Sequence, residues 1–439
     1  MAGANLTTLS SILKEYYLGP VTEQLNNSVL LLSRLEAKSE DLVGKRAYVP
    51  LHHGRSTGVG ARGENIPLPQ AGKQDYDKAV FDLKYLYGRV EVTGPSMAKT
   101  KNEAGAFLQA LKSELDGVRN DLKKDLARQV YGDGSGVIAT ISSSTTGSTS
   151  GTITLSSAEP LRKGQLYVGM ALDVYTSAQA ARNVAANTTA TGSAGGIVIT
   201  AVNLSTPSIT VNGNCAGFAN GDLLVRAGIS IADSTTVGEV NSWSDEVDGL
   251  QRIVSSSANQ FGGIDATAKS WWDNQRIPLT TGTDLDSTRA GTQNLSFGVV
   301  QQAMNLVKIA GGNPTAIVTS LGVQREFYNL FQTQVRYIDP ESLSYKQGFQ
   351  TLMYNNMPVI ADIDAPYSNM YILDESTIKV FSDQDWHFLD ADGLTLRQVS
   401  GYDKFEAILA RYMNLGASRR NNQAVVTGIL VDGANDAGY

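Results

Sequence analysis

Three glycines near the start of the chain have the spacing of a dinucleotide-binding loop. Gly58, Gly60 and Gly63 fit the pattern G-x-G-x-x-G, in which a strand leads into a helix whose N-terminal amides hold a pyrophosphate. A segment with β-forming residues, 45–55, does precede them, but the chain then continues into Ile-Pro-Leu-Pro. Proline lacks an amide donor and restricts the residue before it, so no regular helix can begin there. The pattern therefore predicts a long glycine-rich loop tip and no phosphate site.

The residue types most often used as metal ligands, general bases and nucleophiles are few. The sequence has three histidines, His52, His53 and His387, and one cysteine, Cys215. Adjacent histidines on a strand point to opposite faces, so His52 and His53 cannot bind one ion without distortion. His387 lies between two aromatic residues and is predicted to be a packing or edge residue. Cys215 has no C-x-x-C partner and no nearby basic residue, which indicates a small buried apolar residue.

Two aspartates could form a pair of carboxylates. Asp362 and Asp364 lie at positions i and i+2 of a predicted strand and would share a face. General acid–base chemistry would also need a pocket that shifts one of their pKa values. The Walker A and H-E-x-x-H motifs do not occur in the sequence. We therefore predict a structural role, with no catalytic residues, no cofactor and no metal.

Composition and charge narrow the class further. The chain has 439 residues, a net charge of −7 and a pI near 5.2. This balance argues against a dedicated nucleic-acid binder, which would carry a basic excess. No apolar run is long enough to cross a membrane, and the N-terminus lacks the basic and apolar regions of a signal peptide. These features predict a protein made in a cytoplasmic compartment, with no membrane partner.

The elements that would position these residues begin with an arm and an extended loop. Residues 1–44 are predicted to form a helical N-terminal arm of two helices with little nearby to pack on. Residues 45–95 carry two extended segments around the glycine-rich tip, and the second is predicted as one long strand over residues 79–94. Two long strands around a flexible tip would make an arm.

The clearest element is a long spine helix within residues 96–136. It is predicted to end near Tyr131, where Gly-Asp-Gly-Ser-Gly supplies a stop. The opposite face carries both charge signs, Asp125 and Arg128 among them, and is predicted to be a solvated face or part of a coiled coil. A single narrow apolar stripe favours a long helix laid across a sheet, with an outer surface that can meet neighbouring subunits. The apolar stripe repeats every three or four residues: Phe107, Leu111, Leu115, Val118, Leu122 and Leu126.

The rest of the chain divides into three segments. Residues 137–236 are rich in Ser, Thr, Gly and Ala and contain short β-runs, which predicts an all-β insertion domain, a small barrel or sandwich. Residues 237–375 contain two helices and intervening strands and are predicted to form an α/β domain. Residues 376–439 are predicted to be a sheet together with the C-terminus.

This order of elements resembles the major capsid protein of tailed bacteriophages, which has the Hong Kong 97-type shell fold. The resemblance implies an α+β fold with an N-arm, an extended loop, a spine helix with a peripheral sheet and a central axial domain; the all-β insertion is additional. The segments that carry the resemblance are YLYGRVEVTGP (85–95), RQVYGDGSG (128–136), DGLQRIVSS (248–256), GNPTAIVTSLGVQREFYNLF (312–331), and MPVIADIDAP (357–366) followed by MYILDESTIKVFSDQDWHFLDADG (370–393).

The resemblance implies a function in self-assembly. Such a subunit forms hexamers and pentamers, the capsomers of the icosahedral shell of a phage head, which encloses double-stranded DNA with non-specific contact only. The protein would be synthesised and assembled in the host bacterial cytoplasm and end in the virion. Its partners would be further copies of the chain, a portal, possibly a decoration protein, and a scaffold. Because the long N-terminal scaffolding extension of some relatives is missing, we expect a separate scaffolding protein or a cleaved segment.

In this family the extended loop reaches over the adjacent subunit. Carried over, its tip would be Gly58, Gly60, Arg62, Gly63, Glu64, Ile66, Pro67 and Leu68, with the glycines permitting a change of shape. Some relatives join a loop lysine to a neighbouring asparagine. Here Lys73 or Lys78 could supply the amine, and Asn355 or Asn356 the acceptor.

Other functions stay open at this point. An encapsulin-like compartment shell would share the fold but enclose enzymes. The Ser/Thr/Gly-rich segment taken alone is also typical of a β-rich phage adhesin or decoration protein, which would form trimers or fibres and no closed shell. An enzyme is the weakest alternative.

Overall fold

The computed structural model describes residues 30–36, 39–41, 46–95, 104–145, 150–177, 197–212, 215, 217–227, 244–254, 260–279, 294–334, 352–389 and 396–431. The first predicted N-terminal helix lies outside these residues. The helices are Leu30–Glu36, Ala104–Tyr131 (the spine helix), Glu159–Arg162, Leu250–Val254, Phe297–Ile309 and Leu321–Gln334. The strands are β1 (Ser39–Asp41), β2 (Arg46–His52), β3 (Tyr76–Asp82), β4 (Lys84–Thr93), β5 (Val137–Thr145), β6 (Ser150–Leu155), β7 (Ala171–Tyr175), β8 (Ile197–Asn203), β9 (Ser208–Asn212), β10 (Leu223–Arg226), β11 (Gln275–Pro278), β12 (Ala316–Thr319), β13 (Met353–Tyr354), β14 (Met357–Ala361), β15 (Met370–Leu373), β16 (Ile378–Phe388), β17 (Arg397–Gln398), β18 (Lys404–Ala417) and β19 (Ala424–Thr427).

Two larger sheets form the body of the subunit. One has the order β1-β16-β18-β17, with β4 also paired to β18 in a continuous antiparallel register. We call it the peripheral sheet. The other has the order β11-β19-β15-β12-β14-β13 and carries the helix Phe297–Ile309 on a shared apolar core. We call it the axial sheet.

The described strands between residues 137 and 226 form a closed barrel in the order β10-β5-β6-β9-β8-β7, with β10 also paired to β7. Alternation of apolar and small polar residues gives β6 one buried face, β7 and β10 are buried along most of their length, and closure of the barrel removes the sheet edges. The barrel has an apolar core of its own. Its entry and exit lie side by side, because the Ser244 amide donates to the Ser135 carbonyl at 2.8 Å.

The N-terminal helix was expected to have little to pack on, and this expectation is wrong for the described part. Leu31, Leu32 and Leu35 are buried in the same apolar cluster as the peripheral sheet and the end of the spine helix. The Arg34 guanidinium also forms two hydrogen bonds with Glu375, at 2.7 and 3.0 Å. The sequence could not show these partners, since they are distant along the chain and Glu375 lies 341 residues from Arg34.

Two strand predictions also differ from the structure. Residues 79–94 do not form one strand: β3 pairs with β2, and β4 pairs with β18. β-forming residues continue from the end of β3 into β4, so the sequence pattern does not show that the chain changes its pairing partner there. The C-terminal strand β19, predicted as part of the segment 376–439, lies between β11 and β15 in the axial sheet.

Candidate intersubunit contact site

The extended loop forms a narrow two-stranded arm. β2 and β3 pair from Arg46 opposite Asp82 to His52 opposite Tyr76. Beyond this ladder the two chain segments stay close together: a Cβ atom on Gly54 would lie 2.5 Å from the Cβ of Asp75 on the other segment. Gly72 is restricted in the same way by the opposite segment. Glycine therefore permits the arm to remain thin where regular pairing has ended.

The side chains at the tip of the arm are largely exposed within their own subunit. The chain after Gly63 forms turns and no helix, so the pyrophosphate interpretation is excluded by the same prolines that argued against it. Val59 and Leu68 are 84% and 83% exposed, and Ile66 is 56% exposed. Neither Arg62 nor Glu64, the tip's charged pair, has an ion-pair partner among the described residues.

The base of the arm, in contrast, is fixed to the body. The buried Phe81 ring stacks on Phe381, with ring centroids 5.5 Å apart, and packs against Phe261. The Val80 amide donates to the Gly262 carbonyl at 2.9 Å. Asp77 forms an ion pair with Lys269, and this hydrogen bond is the main cause that holds the pKa of Asp77 below its ordinary value. The direction of the arm is therefore set by contacts of its base with its own subunit, whereas the apolar side chains of its tip are exposed there.

The spine helix crosses the peripheral sheet at a glycine. A Cβ atom on Gly88 of β4 would lie 2.5 Å from Leu122 and 2.6 Å from Val118, so the helix can approach the sheet only because this position has no side chain. Leu126 is fully buried, and Leu115, Val118 and Leu122 are half-buried. The side chains of Phe107 and Leu111 lie outside the described residues.

The charged face of the spine helix is not solvated at its C-terminal end, and that prediction is wrong there. Arg128 donates to Asp125 at 3.2 Å and forms an ion pair with Glu246, while Arg226 of the barrel lies 3.3 Å from Asp125. Burial disfavours ionised Asp125, but the two arginines outweigh it and hold the pKa of that carboxyl below its ordinary value. The pKa of Glu246 is raised, mainly by burial.

Asp362 is a structural acceptor at the junction of three segments. Its Oδ2 accepts from the Tyr131 hydroxyl at 2.8 Å and from the Leu31 amide at 3.5 Å, so one carboxylate joins the spine helix, the N-terminal helix and the axial sheet. Burial, followed by the charge of Asp362, raises the pKa of Tyr131 well above its ordinary value and keeps its hydroxyl a donor. Asp364 does not share this network of donors. Burial and then Asp362 raise its pKa to about 6.

The barrel is anchored to the body by a buried lysine. The Lys163 side chain is only 2% exposed, and its Nζ donates to the carbonyls of Ala365 at 2.7 Å and Asp364 at 3.1 Å. Glu159 lies 2.5 Å from the same Nζ and balances its charge. The anchoring residues Lys163 and Arg226 carry no motif, and sequence analysis did not identify them.

The remaining candidate residues have ordinary structural roles. His53 stacks on Trp271, and His52 contacts Gln74, so the adjacent histidines do not converge on one point. His387 packs edge-on against Tyr412. Cys215 is buried, as predicted, and burial raises the pKa of its thiol to about 11.

The four residues proposed for a cross-link lie in different parts of the subunit. Lys73 and Lys78 are exposed on the arm, where Lys73 lies 3.5 Å from Asp75. Asn355 and Asn356 form the exposed turn between β13 and β14, both with positive φ (47° and 65°). Among the described contacts within one chain, none joins these lysines to these asparagines, so any such bond would have to form between subunits.

The described residues contain no group of three or more His, Cys, Asp or Glu side chains suited to a metal ion. No helix in this part of the chain is long and apolar enough to cross a membrane.

Comparison with known proteins identifies the fold. No protein-family model matches the sequence, and no curated protein sequence matches it. Among solved structures, the chain is similar to the cyanophage A-1(L) capsid asymmetric unit, with a TM-score of 0.61 and 12% identity over 97% of this chain and 99% of that one. Lower similarity is found to the capsid of a native GTA particle (TM-score 0.49, 10% identity, 97% and 99% covered). The holo-SrpI encapsulin complex from Synechococcus elongatus is also similar (TM-score 0.47, 6% identity, 99% and 98% covered). The cyanophage match shows that this chain has the fold of a phage capsid protein.

Proposed function

We propose that this chain is the major capsid protein of a tailed bacteriophage, with the Hong Kong 97-type fold and an all-β insertion domain. It self-assembles through hexamers and pentamers into the icosahedral head that encloses double-stranded DNA. The observation that carries this proposal is the match of nearly the whole chain to nearly the whole of a phage capsid chain. The acidic balance of the chain suits a container that faces DNA without binding it tightly.

The arm gives the proposal a physical basis. Its base is held by stacked aromatic rings and an ion pair, whereas its apolar tip residues are exposed. Isolated subunits rarely present apolar side chains on a projecting ribbon unless another surface covers them. Repeated around a ring, one such contact per subunit would join a capsomer. Scaffolding protein, portal and decoration protein remain expected partners within this proposal.

The test is assembly of the purified chain, alone and with a co-expressed scaffolding protein, followed by sedimentation and electron microscopy. Closed shells with pentamers and hexamers support the proposal, and nuclease-protected double-stranded DNA in particles from infected cells completes it. Sedimentation as monomers or small oligomers under all conditions would contradict it. Shells that enclose a protein cargo and no DNA would instead assign the chain to an encapsulin-like compartment.

A further inference from the structure

The barrel is joined to the body at one pivot. The chain enters the barrel through Gly134 and Gly136, which have φ values of 78° and 81°, and returns to the body at Ser244, with a φ of 58°. The Ser244 amide donates to the Ser135 carbonyl at 2.8 Å, so both connections meet at one place. Lys84 of β4 donates to the Ser244 carbonyl at 2.7 Å and fixes this place on the body. Connections that meet at such glycine-containing backbone are suited to act as a hinge.

A cavity of about 630 Å³ separates part of the barrel from the body. Gly164, Gln165 and Tyr167 line it on the barrel side, and the spine helix lines it between Val118 and Arg128, about 15 Å of helix. The barrel packs its apolar side chains into a cluster of its own. Because the two parts have separate cores and a cavity lies between them, relative motion of barrel and body is expected.

Polar contacts hold the barrel closed over this cavity. Nζ of Lys163 donates to the carbonyls of Asp364 and Ala365 at 3.1 and 2.7 Å, and we call this contact the clasp. Arg226 of the barrel lies 3.3 Å from Asp125 of the spine helix. If the barrel turned away from the body, water would replace the lost partners, so the net cost of breaking these contacts is modest.

Asp364 lies beside the clasp and lines the cavity. Its carboxylate forms no hydrogen bond or ion pair with the residues that the structure describes. Burial, followed by the charge of Asp362, raises the pKa of Asp364 to about 6, although Lys163, Lys124 and Arg128 act in the opposite direction. The ionised carboxylate is therefore disfavoured while it stays buried at the junction of barrel and body.

Charged and titratable groups surround Asp364 on every element of this junction: Asp121, Lys124, Asp125, Arg128 and Tyr131 on the spine helix, Arg89 on β4, Glu159, Lys163 and Arg226 on the barrel, and Asp362 on its own loop. The described lining of the cavity contains no histidine. The carboxyl group of Glu246 is the other candidate for a response to acid. Burial raises its pKa, and it pairs with Arg128 next to the pivot.

We propose that the barrel is a hinged domain that turns about residues 134–136 and 244, and that Asp364 controls its position. Protonated Asp364 keeps the barrel closed against the body, whereas the ionised carboxylate favours opening, because opening admits water to a charge that is otherwise buried beside Asp362. The motion belongs to the single subunit and does not depend on shell assembly.

The direction of the pH effect follows from where the proton binds more tightly. The pKa of Asp364 is about 6 in the closed form and returns towards the ordinary 3.8 when water reaches the carboxylate. The closed form therefore holds the proton more tightly, so acid favours it, and opening becomes more favourable as the pH rises through 6. Between pH 5 and pH 7 the ratio of open to closed subunits should rise by up to about 10-fold.

Distances between spin labels measure this motion. Leu204→Cys places one nitroxide in the β8–β9 turn of the barrel, and Tyr402→Cys places the other on the body before β18; both side chains are exposed. Pulsed electron paramagnetic resonance of the full-length, unassembled subunit should show a second distance whose population grows from pH 5 to pH 7. The control pair Tyr328→Cys with Tyr402→Cys lies wholly on the body and should give the same distances at both pH values. Cys215 is buried and should remain unlabelled.

Three substitutions identify the groups responsible. Asp364→Asn cannot ionise, so the barrel should stay closed at both pH values. Lys163→Met breaks the clasp and should populate the second distance at both pH values, more strongly at pH 7. Glu246→Gln should leave the pH dependence in place. Circular dichroism checks that each variant is folded.

Each outcome decides one part of the proposal. A second distance that is seen only in Lys163→Met and grows with pH supports it, with the clasp keeping the unaltered subunit closed. A single unchanged distance in both the unaltered subunit and Lys163→Met would overturn the hinge. A second distance that shrinks as the pH rises, a pH response that persists in Asp364→Asn, or one that disappears in Glu246→Gln would overturn the role of Asp364.

Discussion

At the scale of single residues, two aspartates separated by one position are expected to affect stability in opposite directions. Asp362 is buried and accepts hydrogen bonds from the Tyr131 hydroxyl and the Leu31 amide. Asp364 has no such donors to its carboxylate, and burial together with the charge of Asp362 raises its pKa from 3.8 to about 6. A raised folded-state pKa means that the folded state binds the proton more tightly. The stabilising effect of that proton is complete below the unfolded-state pKa and is lost as the pH rises through 6.

We therefore expect Asp364→Asn to increase the free energy of unfolding at pH 7 by up to about 2 kcal/mol, and to flatten its change between about pH 4 and 6. The control Asp362→Asn weakens the acceptor for Tyr131 and should decrease the free energy of unfolding by about 1–3 kcal/mol. Urea unfolding at pH 5 and pH 7 measures both. A loss of stability in Asp364→Asn at pH 7 would show that Lys163 and Lys124 stabilise the ionised carboxylate more than burial opposes it.

At the scale of elements, two glycines differ in whether the packing around them has room for a side chain. A Cβ on Gly88 meets Leu122 and Val118 of the spine helix, whereas a Cβ on Gly117, inside that helix, meets nothing within 4 Å. Gly88→Ala should lower the free energy of unfolding by about 1–3 kcal/mol, because the helix must move away from the sheet. Gly117→Ala should raise it by about 0.5–1 kcal/mol, through helix propensity. Thermal melts of both variants test this contrast, which equal shifts would contradict.

The elements that sequence analysis predicted are those with local signals. The spine helix follows from apolar residues every three or four positions, and the bare tip follows from Gly63 and the prolines after it. The ion cluster was missed because the partners of Arg128 and Asp125 lie about 100 residues away, on Glu246 and Arg226. The sequence around a charged helix residue does not indicate which distant charged residue will form an ion pair with it.

The barrel is expected to fold on a core separate from that of the body. Its entry and exit meet at the hydrogen bond between Ser244 and Ser135, so a short linker can replace it. Replacing residues 137–236 by a Gly/Ser linker should leave a cooperatively folded subunit with a lower melting temperature, because Asp125 loses Arg226. Circular dichroism and calorimetry measure this. As a comparison in the full chain, Lys163→Met removes the hydrogen bonds to Asp364 and Ala365 and should weaken the attachment of the barrel to the body, while both parts remain folded. Insoluble protein from the deletion would mean that the barrel belongs to the main core.

At the scale of the whole molecule, stability and the proposed assembly are expected to depend on different residues. The large buried clusters lie in the two sheets, the spine helix and the barrel, and the arm contributes to them through the paired strands β2 and β3, at Ala47, Leu51, Ala79 and Phe81. The tip contributes almost no buried area within the subunit. The free energy of unfolding depends on the apolar area that folding buries. Changes at the tip should therefore leave the free energy of unfolding nearly unaltered. In the proposed shell, the same changes would alter the contact made by the arm of every subunit at once.

Replacement of residues 58–68 by a two-residue turn is therefore expected to leave the melting temperature of the isolated subunit nearly unchanged and to abolish or greatly weaken shell formation. Arg62→Glu is the graded companion: it keeps the apolar residues and reverses one exposed charge, so assembly should weaken less and the defect should diminish as salt is raised. Calorimetry of the subunit and light scattering during assembly measure the two quantities separately. Normal shells from the shortened arm, or a large fall in subunit melting temperature, would show that the tip serves its own fold and not its neighbour.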